Sequence, residues 1–205
     1  MISLKHKFLF VHIPKTAGNS IQNILRDYSE DKIVCLGPHQ DGIERFEVRS
    51  GRFNIHKHTN LREYRAQLGE EVFQGLFKFA SIRNPWDRVI SYYFSPHRGK
   101  VFWDREKFIE FVKSIPPATD YLSLNGADGL GKYCFDSIDS YIRFEYLNDD
   151  FKRVCKQIGI PFQQLARHNV STHRKYDSYY DSELVDLVRN LFLQEISYFG
   201  YEFGN

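Results

Sequence analysis

Three times along the chain a short apolar run rich in β-forming residues gives way to apolar positions at helical spacing. Lys7-Phe8-Leu9-Phe10-Val11-His12-Ile13 precedes Ile21, Ile24, Leu25 and Tyr28, which reads as strand, loop, helix. Phe77-Lys78-Phe79-Ala80-Ser81-Ile82 reads as a buried strand, with Asn84 as cap and Pro85 at the first helical position. Trp86, Val89, Ile90 and Tyr93 then mark one apolar helix face. A strand near Ser140 to Phe144 leads to Leu147, Phe151, Val154, Cys155 and Ile158 at helical spacing, with Asp149 and Asp150 near the positive helix start; Gly159 and Pro161 close that helix. Further strands are expected over Asp31 to Leu36 and over Arg52 to His58. Arg62 to Gly69 reads as helical. Phe108, Phe111, Val112 and Ile115 mark a helix that Pro116-Pro117 ends, and Leu184, Leu187, Val188, Leu191 and Ile196 mark one final amphipathic helix. The stretch from Ser123 to Lys132, with Gly126, Gly129 and Gly131, reads as a loop, and His168 to Tyr180 is polar and basic without period. Strands alternating with helices predict an α/β architecture with a central, largely parallel sheet flanked by helices. No repeat or low-complexity linker divides residues 1–205, so one domain is expected.

Composition narrows the function classes. The chain is 42% hydrophobic and 26% charged with a formal net charge of +2, which argues against a disordered chain and against a nucleic-acid binder with one continuous cationic face. Any anion site must be local. No run of eighteen apolar residues occurs, and Met1 to Phe10 lacks the apolar core of a signal peptide, so a soluble, cytoplasmic protein is expected. Cys35, Cys134 and Cys155 are far apart and form no CxxC pair. Buried free thiols are expected rather than a disulfide framework or a zinc knuckle.

Chemistry concentrates in four segments. Pro14-Lys15-Thr16-Ala17-Gly18-Asn19-Ser20 joins a strand to a helix, where unpaired backbone amides, a close approach at Gly18, the polar Thr16, Asn19 and Ser20, and the charge of Lys15 make an anion cradle. A nucleoside-triphosphatase loop reads GxxxxGK followed by Ser or Thr; here the lysine comes first. Arg83 stands at a second strand exit and Ser91 two turns into the following helix, a guanidinium and hydroxyl suited to a phosphate monoester. Arg88 and Asp87 are candidates for a structural ion pair, and Trp86 and Tyr93 for core. If the His56-Lys57-His58 segment is a strand, His56 and His58 share a face while Lys57 points away, and either imidazole is a candidate base for a hydroxyl. No third ligand at a telling spacing makes this pair a zinc site. His97, Arg98, Lys100 and Arg105 form a basic cluster that is either solvated surface or a site for an acidic glycan.

Taken in order, FVHIP-KTAGNS and FKFAS followed by RNPWDRVISYY resemble the sulfotransferases that use 3′-phosphoadenosine 5′-phosphosulfate, and among them the carbohydrate branch, heparan-type and bacterial family 2. Arg143-Phe144-Glu145 before a helix and the terminal Phe199-Gly200-Tyr201-Glu202-Phe203 extend the likeness over most of the chain. The resemblance implies a P-loop-like sulfotransferase fold and sulfuryl transfer to a hydroxyl-bearing acceptor, a glycan or glycolipid, by in-line displacement without a metal. It implies that Lys15, Thr16, Ala17, Gly18, Asn19 and Ser20 wrap the 5′-phosphosulfate, with Lys15 acting in catalysis, while Arg83 and Ser91 hold the 3′-phosphate. It implies a histidine base, His58 with His56 in reserve, and a basic segment closing over the nucleotide through Ser171, Arg174 and Lys175. Two other classes compete: a nucleotide kinase, which needs glycines ahead of the lysine and acidic magnesium ligands, and a non-catalytic protein binding anionic glycan or bisphosphorylated nucleotide.

Overall fold

The computed structural model of the chain describes residues 1–36, 43–124, 135–166 and 171–204. Among them are the strands β1 (Ile2–Ser3), β2 (Phe8–Val11), β3 (Lys32–Cys35), β4 (Phe46–Arg49), β5 (Phe77–Ile82) and β6 (Ser140–Arg143). The central sheet runs in the order β1-β2-β5-β6, with β1 antiparallel to β2 and the other two pairings parallel. This is the mixed α/β architecture with a mostly parallel central sheet that the alternating pattern predicts. Each parallel strand feeds a helix: β2 leads to α1 (Gly18–Leu25), β5 to α4 (Pro85–Tyr93) and β6 to α7 (Leu147–Ile158), the last through one 3-10 turn at Phe144–Tyr146. Between β4 and β5 come α2 (Leu61–Leu68) and α3 (Glu70–Gln74); α5 (Arg105–Lys113) and α6 (Ala118–Leu122) precede β6. The chain's last helices are α8 (Ser182–Leu191) and α9 (Leu193–Phe199).

Strand periodicity sorts the core. Phe8, Phe10 and Phe79 turn to one face and pack with Ile21 and Leu25 of α1 and Phe151, Val154 and Ile158 of α7. Leu9, Val11, Ala80 and Ile82 turn to the other, against Leu61, Tyr64 and Leu68 of α2, Phe73 of α3 and Ala118 and Leu122 of α6. Because both faces are covered, β2 and β5 read in sequence as continuous apolar runs rather than alternating ones. Burying each such aromatic contributes about 1.5–3 kcal/mol, which holds the two strands in register. A third cluster, built on Trp86, Val89 and Tyr93 of α4 with Phe108, Val112, Leu184 and Val188, braces the helix that follows β5.

Three expectations change. The strand expected over Arg52 to His58 lies earlier, at β4, where Phe46 and Val48 alternate inward and pair with β3 as an antiparallel hairpin. Residues 52–60 are irregular instead, ending in a tight turn in which Thr59 N donates to His56 O at 3.1 Å and His56 N to Thr59 Oγ1 at 2.7 Å. The final helix is two helices, because the backbone leaves helical geometry at Phe192, whose side chain is buried. Cys35 is exposed on the hairpin while Cys155 is a buried free thiol. Cys134 and most of the glycine-rich stretch from Ser123 to Lys132 lie outside the described residues. Among the described residues no helix is long and apolar enough to cross a membrane.

Arg88 does not pair with Asp87. It is buried in α4, where it donates to Pro116 O at 3.0 Å and lies 3.5 Å from the carboxylate of Glu195 in α9, which also accepts from Ala118 N at 3.0 Å. One carboxylate thus joins α4, α6 and α9. Glu195→Ala leaves a buried guanidinium without its counter-charge, so unfolding in urea is expected to need about 3 kcal/mol less. A loss below about 1 kcal/mol, the range of an exposed pair, would contradict this account.

Candidate active site

The carboxyl ends of β2, β5 and β6 open on one edge of the sheet, and beyond them lies a cleft of about 980 Å³. The loop leaving β2 forms one wall. Lys15 and Ala17 both adopt left-handed backbone geometry, φ 71° and 70°, which costs a residue with a side chain about 1–2 kcal/mol. Thr16 holds the loop in that shape. Its hydroxyl donates to Ile13 O at 2.7 Å and meets Ser81 Oγ of β5 at 2.6 Å; with its one proton committed, it accepts from Ser81. Thr16 is fully buried and does not line the cleft, so its part is to pin the loop from beneath. Lys15, Ala17, Gly18, Asn19 and Ser20 do line it. No side chain caps α1 at Ala17, which leaves the amides of the helix start free for an anion.

Arg83, at the exit of β5, is fixed from three directions. Its Nε donates to Asp87 at 2.7 Å, Nη1 donates to Lys15 O at 3.1 Å, and the guanidinium lies 3.8 Å over the Phe144 ring. Asp87 is therefore the partner of Arg83 rather than of Arg88. The guanidinium enters the cleft preorganised, bonded to the very loop that carries Lys15. Ser91, one face further along α4, sits 3.2 Å from Ser171 Oγ, and both hydroxyls line the cleft. Arg174 and Lys175 do not: Arg174 lies over the Tyr179 ring and Lys175 pairs with Asp177 at 2.7 Å. His168 and Asn169 lie outside the described residues.

The turn at His56–Thr59 separates the two histidines that a strand would have aligned. His56 is exposed, 4.0 Å from Glu63 and outside the cleft. His58 enters it, its Nδ1 3.0 Å from the carbonyl of His12. A carbonyl only accepts, so in the neutral ring Nδ1 carries the proton and Nε2 keeps its lone pair. Burial is the main cause that pushes the His58 pKa below its usual 6.5, with the His12 carbonyl opposing it, Lys57 and His56 adding to it and Glu47 opposing. Near neutral pH the imidazole is a free base.

Lys57, which a strand would have turned away, lines the cleft as well. Its ammonium lies 3.7 Å over the Phe46 ring and its backbone N donates to Glu47 at 2.6 Å. The signal that could have found it is the turn, whose geometry no period reveals. Burial first, and the charges of Arg83 and Lys57 second, lower Lys15 to about 8; burial lowers Lys57 to about 8 against the pull of Glu47 and Glu44. Of the basic cluster, His97 and Arg98 reach the cleft, whereas Arg105 bridges Asp181 and Glu183 away from it. Among the described residues no group of His, Cys, Asp and Glu is placed to hold a metal ion.

A model of the sulfotransferase family matches residues 1–202 of this chain. The chain belongs to the sulfotransferase family. Among curated proteins, an uncharacterized protein of Archaeoglobus fulgidus is 32% identical over 114 residues, 55% of this sulfotransferase and 92% of that protein. No solved structure matches this chain. Membership makes the chain an enzyme of sulfuryl transfer, working with a sulfuryl donor and an acceptor. The site fits an anionic donor on its own terms: uncapped amides, two desolvated lysines and a fixed guanidinium face one cleft.

An anion in this cleft favours the charged form of Lys15 and Lys57. At pH 8 both are about half protonated, so binding of an anionic ligand, tested with adenosine 3′,5′-bisphosphate as probe, is expected to take up protons; at pH 6.5 both already carry theirs and uptake is small. Calorimetry in buffers of different ionisation enthalpy reads the difference directly. Equal proton uptake at the two pH values would remove the lysines from the anion site.

Proposed function

We propose that this sulfotransferase moves a sulfuryl group from 3′-phosphoadenosine 5′-phosphosulfate to a carbohydrate hydroxyl by in-line displacement, with His58 as general base. The observation that carries the reading is the bond from Arg83 Nη1 to Lys15 O, which sets two anion-binding groups side by side at the tips of adjacent strands. A donor with phosphate at two separated positions of one nucleotide matches two such groups. A kinase reading lacks support in the loop, where no glycine precedes the lysine.

The donor supplies an activated sulfuryl group on a 5′-phosphate. The chain's residues supply the rest. Amides from Gly18 to Ser20 receive the phosphate, and Lys15 meets the negative charge that builds on it as the S–O bond loosens, in a site where desolvation strengthens the interaction. Arg83 and Ser91, with Ser171 beside it, hold the 3′-phosphate. His58 Nε2 takes the acceptor's proton while Nδ1–H stays on the His12 carbonyl, so the ring keeps its orientation as it becomes charged. Lys57, next to the base, adds a second ammonium for the transferring group. The carbohydrate acceptor rests on resemblance alone.

For the free enzyme, kcat/KM for the donor should be bell-shaped. Its acid limb lies below pH 6.5, where His58 takes up a proton and ceases to be a base, and its alkaline limb lies near pH 8, where Lys15 loses its charge. His58→Ala is expected to lower turnover by about 10²- to 10⁴-fold and to abolish the acid limb, with the affinity for adenosine 3′,5′-bisphosphate within about twofold of wild type. Undiminished turnover would eliminate this base. Arg83→Ala should weaken adenosine 3′,5′-bisphosphate far more than adenosine 5′-phosphate in equilibrium binding; equal losses for the two nucleotides would refute the assignment of the 3′-phosphate.

A further inference from the structure

His12 follows β2 directly and is almost wholly buried, with an edge reaching the cleft. Its ring is held by contacts on three sides. Toward the loop, a Cβ built on Gly18 would stand 1.9 Å from His12 Cδ2 and 2.1 Å from Nε2, so the ring occupies the space a side chain would need. Gly18 is not in the left-handed region, and the ring alone accounts for the missing side chain. Toward the base, the His12 and His58 ring centroids are 4.5 Å apart at 48°, and the His12 carbonyl takes the His58 Nδ1 proton. On the strand side the Phe10 ring lies nearly parallel, 6.1 Å away. Packing is the main constraint on this imidazole: among the described residues its buried Nδ1 makes no well-formed hydrogen bond, and the Gln22 carboxamide is a polar influence on the ring.

We propose that His12 is a positioning residue, a wedge between Gly18 and His58 that makes the placement of the base follow the placement of the loop. The inference rests on the reading of His58 as base, but the wedge itself is measurable in the resting protein. Its part is shape, not proton transfer. Burial first, and the nearby charges of His58, Lys57 and the chain's amino terminus second, keep the ring neutral against the hydrogen-bonding influence of the Gln22 carboxamide. Removing the ring would leave a void under His58, whose remaining charged neighbours are Lys57, Glu47 and His56. Water entering that void would let the His58 pKa rise toward 6.5.

The experiment combines steady-state kinetics with NMR titration of the His58 imidazole. His12→Ala is expected to lower kcat about 10- to 100-fold, the effect of a displaced catalytic group, with KM values within about twofold, and to move both the acid limb and the His58 titration to higher pH. His12→Phe, which refills the space, should restore most of kcat and the original titration. Gly18→Ala should displace the His58 signals in the wild-type background and leave them in place in the His12→Ala background, where its Cβ has room. The proposal falls if His12→Ala leaves the His58 titration unchanged, if His12→Phe is as deficient as His12→Ala, or if Gly18→Ala moves His58 equally in both backgrounds. Should His12→Ala not fold, His12→Phe and Gly18→Ala decide: unchanged His58 signals in the first and displaced ones in the second support the wedge, and the reverse overturns it. If His58→Ala proves active, the base assignment fails, while the NMR arms still report whether Gly18 and His58 are mechanically joined through His12.

Discussion

The parallel pairing of β2 with β5 is the constraint from which the site follows. Phe8 through Val11 stand opposite Phe77 through Ala80, so the two strands end together and their exit loops start side by side. In an open α/β sheet the carboxyl ends are where helices begin and backbone amides go unpaired, and ligands gather there. Two such exits at adjacent positions bring two cationic residues, Lys15 and Arg83, to the cleft at once. Arg83 reaching back to the Lys15 carbonyl, and Ser81 Oγ reaching Thr16, fasten the first exit to the second strand. A slip of one residue between β2 and β5 would turn Phe8, Phe10 and Phe79 off their helices, so the core that fixes the register also fixes the site.

What the sequence discloses divides along the same line. The three strand–helix units are legible because strands buried on both faces are unbroken apolar runs and their helices carry strong punctuation: Asn84 and Pro85 at the start of α4, Gly159 in left-handed geometry at the end of α7. The elements that escape are short. β1 has two residues and α3 and α6 five each, too few for any period to register. The Arg52–His58 segment misleads because Phe53 and Ile55 alternate as a strand would, although the hairpin already has its partner in β4. That single misplacement accounts for the pairing of His56 with His58 on one face and for turning Lys57 outward. The turn that decides the true arrangement is closed by one backbone bond, Thr59 N to His56 O, and by the Thr59 hydroxyl accepting from His56 N, and no hydrophobic period marks either.

The charge distribution shows why a nearly neutral chain is compatible with a strongly cationic cleft. Several surface cations are matched by neighbouring carboxylates, as in Arg105 with Asp181 and Glu183 or Lys113 with Glu110. In the cleft the balance differs. Lys15 has a serine hydroxyl at 3.4 Å, Lys57 a backbone carbonyl and an aromatic face with Glu47 and Glu44 exerting a pull, and Arg83 the carboxylate of Asp87. Three cations brought together out of water repel one another, and that repulsion adds to burial, the larger cause, in lowering the pKa of Lys15. The energy is released when an anion arrives, so affinity depends on ligand charge more steeply than for the same groups on an open surface.

The same surroundings let acid and base chemistry coexist within one cleft. An imidazole placed among desolvated cations is costly to protonate, and His58 is held there with its proton-bearing nitrogen turned to the His12 carbonyl and its lone pair outward. Had it stood beside a carboxylate at hydrogen-bonding distance, its pKa would rise and it would be charged before an acceptor arrived. Glu47 is near enough to temper the effect and is itself occupied by the backbone N–H groups of Val48 and Lys57. Desolvation therefore does two opposite things in one place: it strips the proton from the histidine and heightens the pull of the lysines on negative charge. The ammonium groups can stay charged because their ordinary pKa lies so far above that of imidazole; even after the shift to about 8, an interval remains in which the imidazole is neutral and the cations are intact.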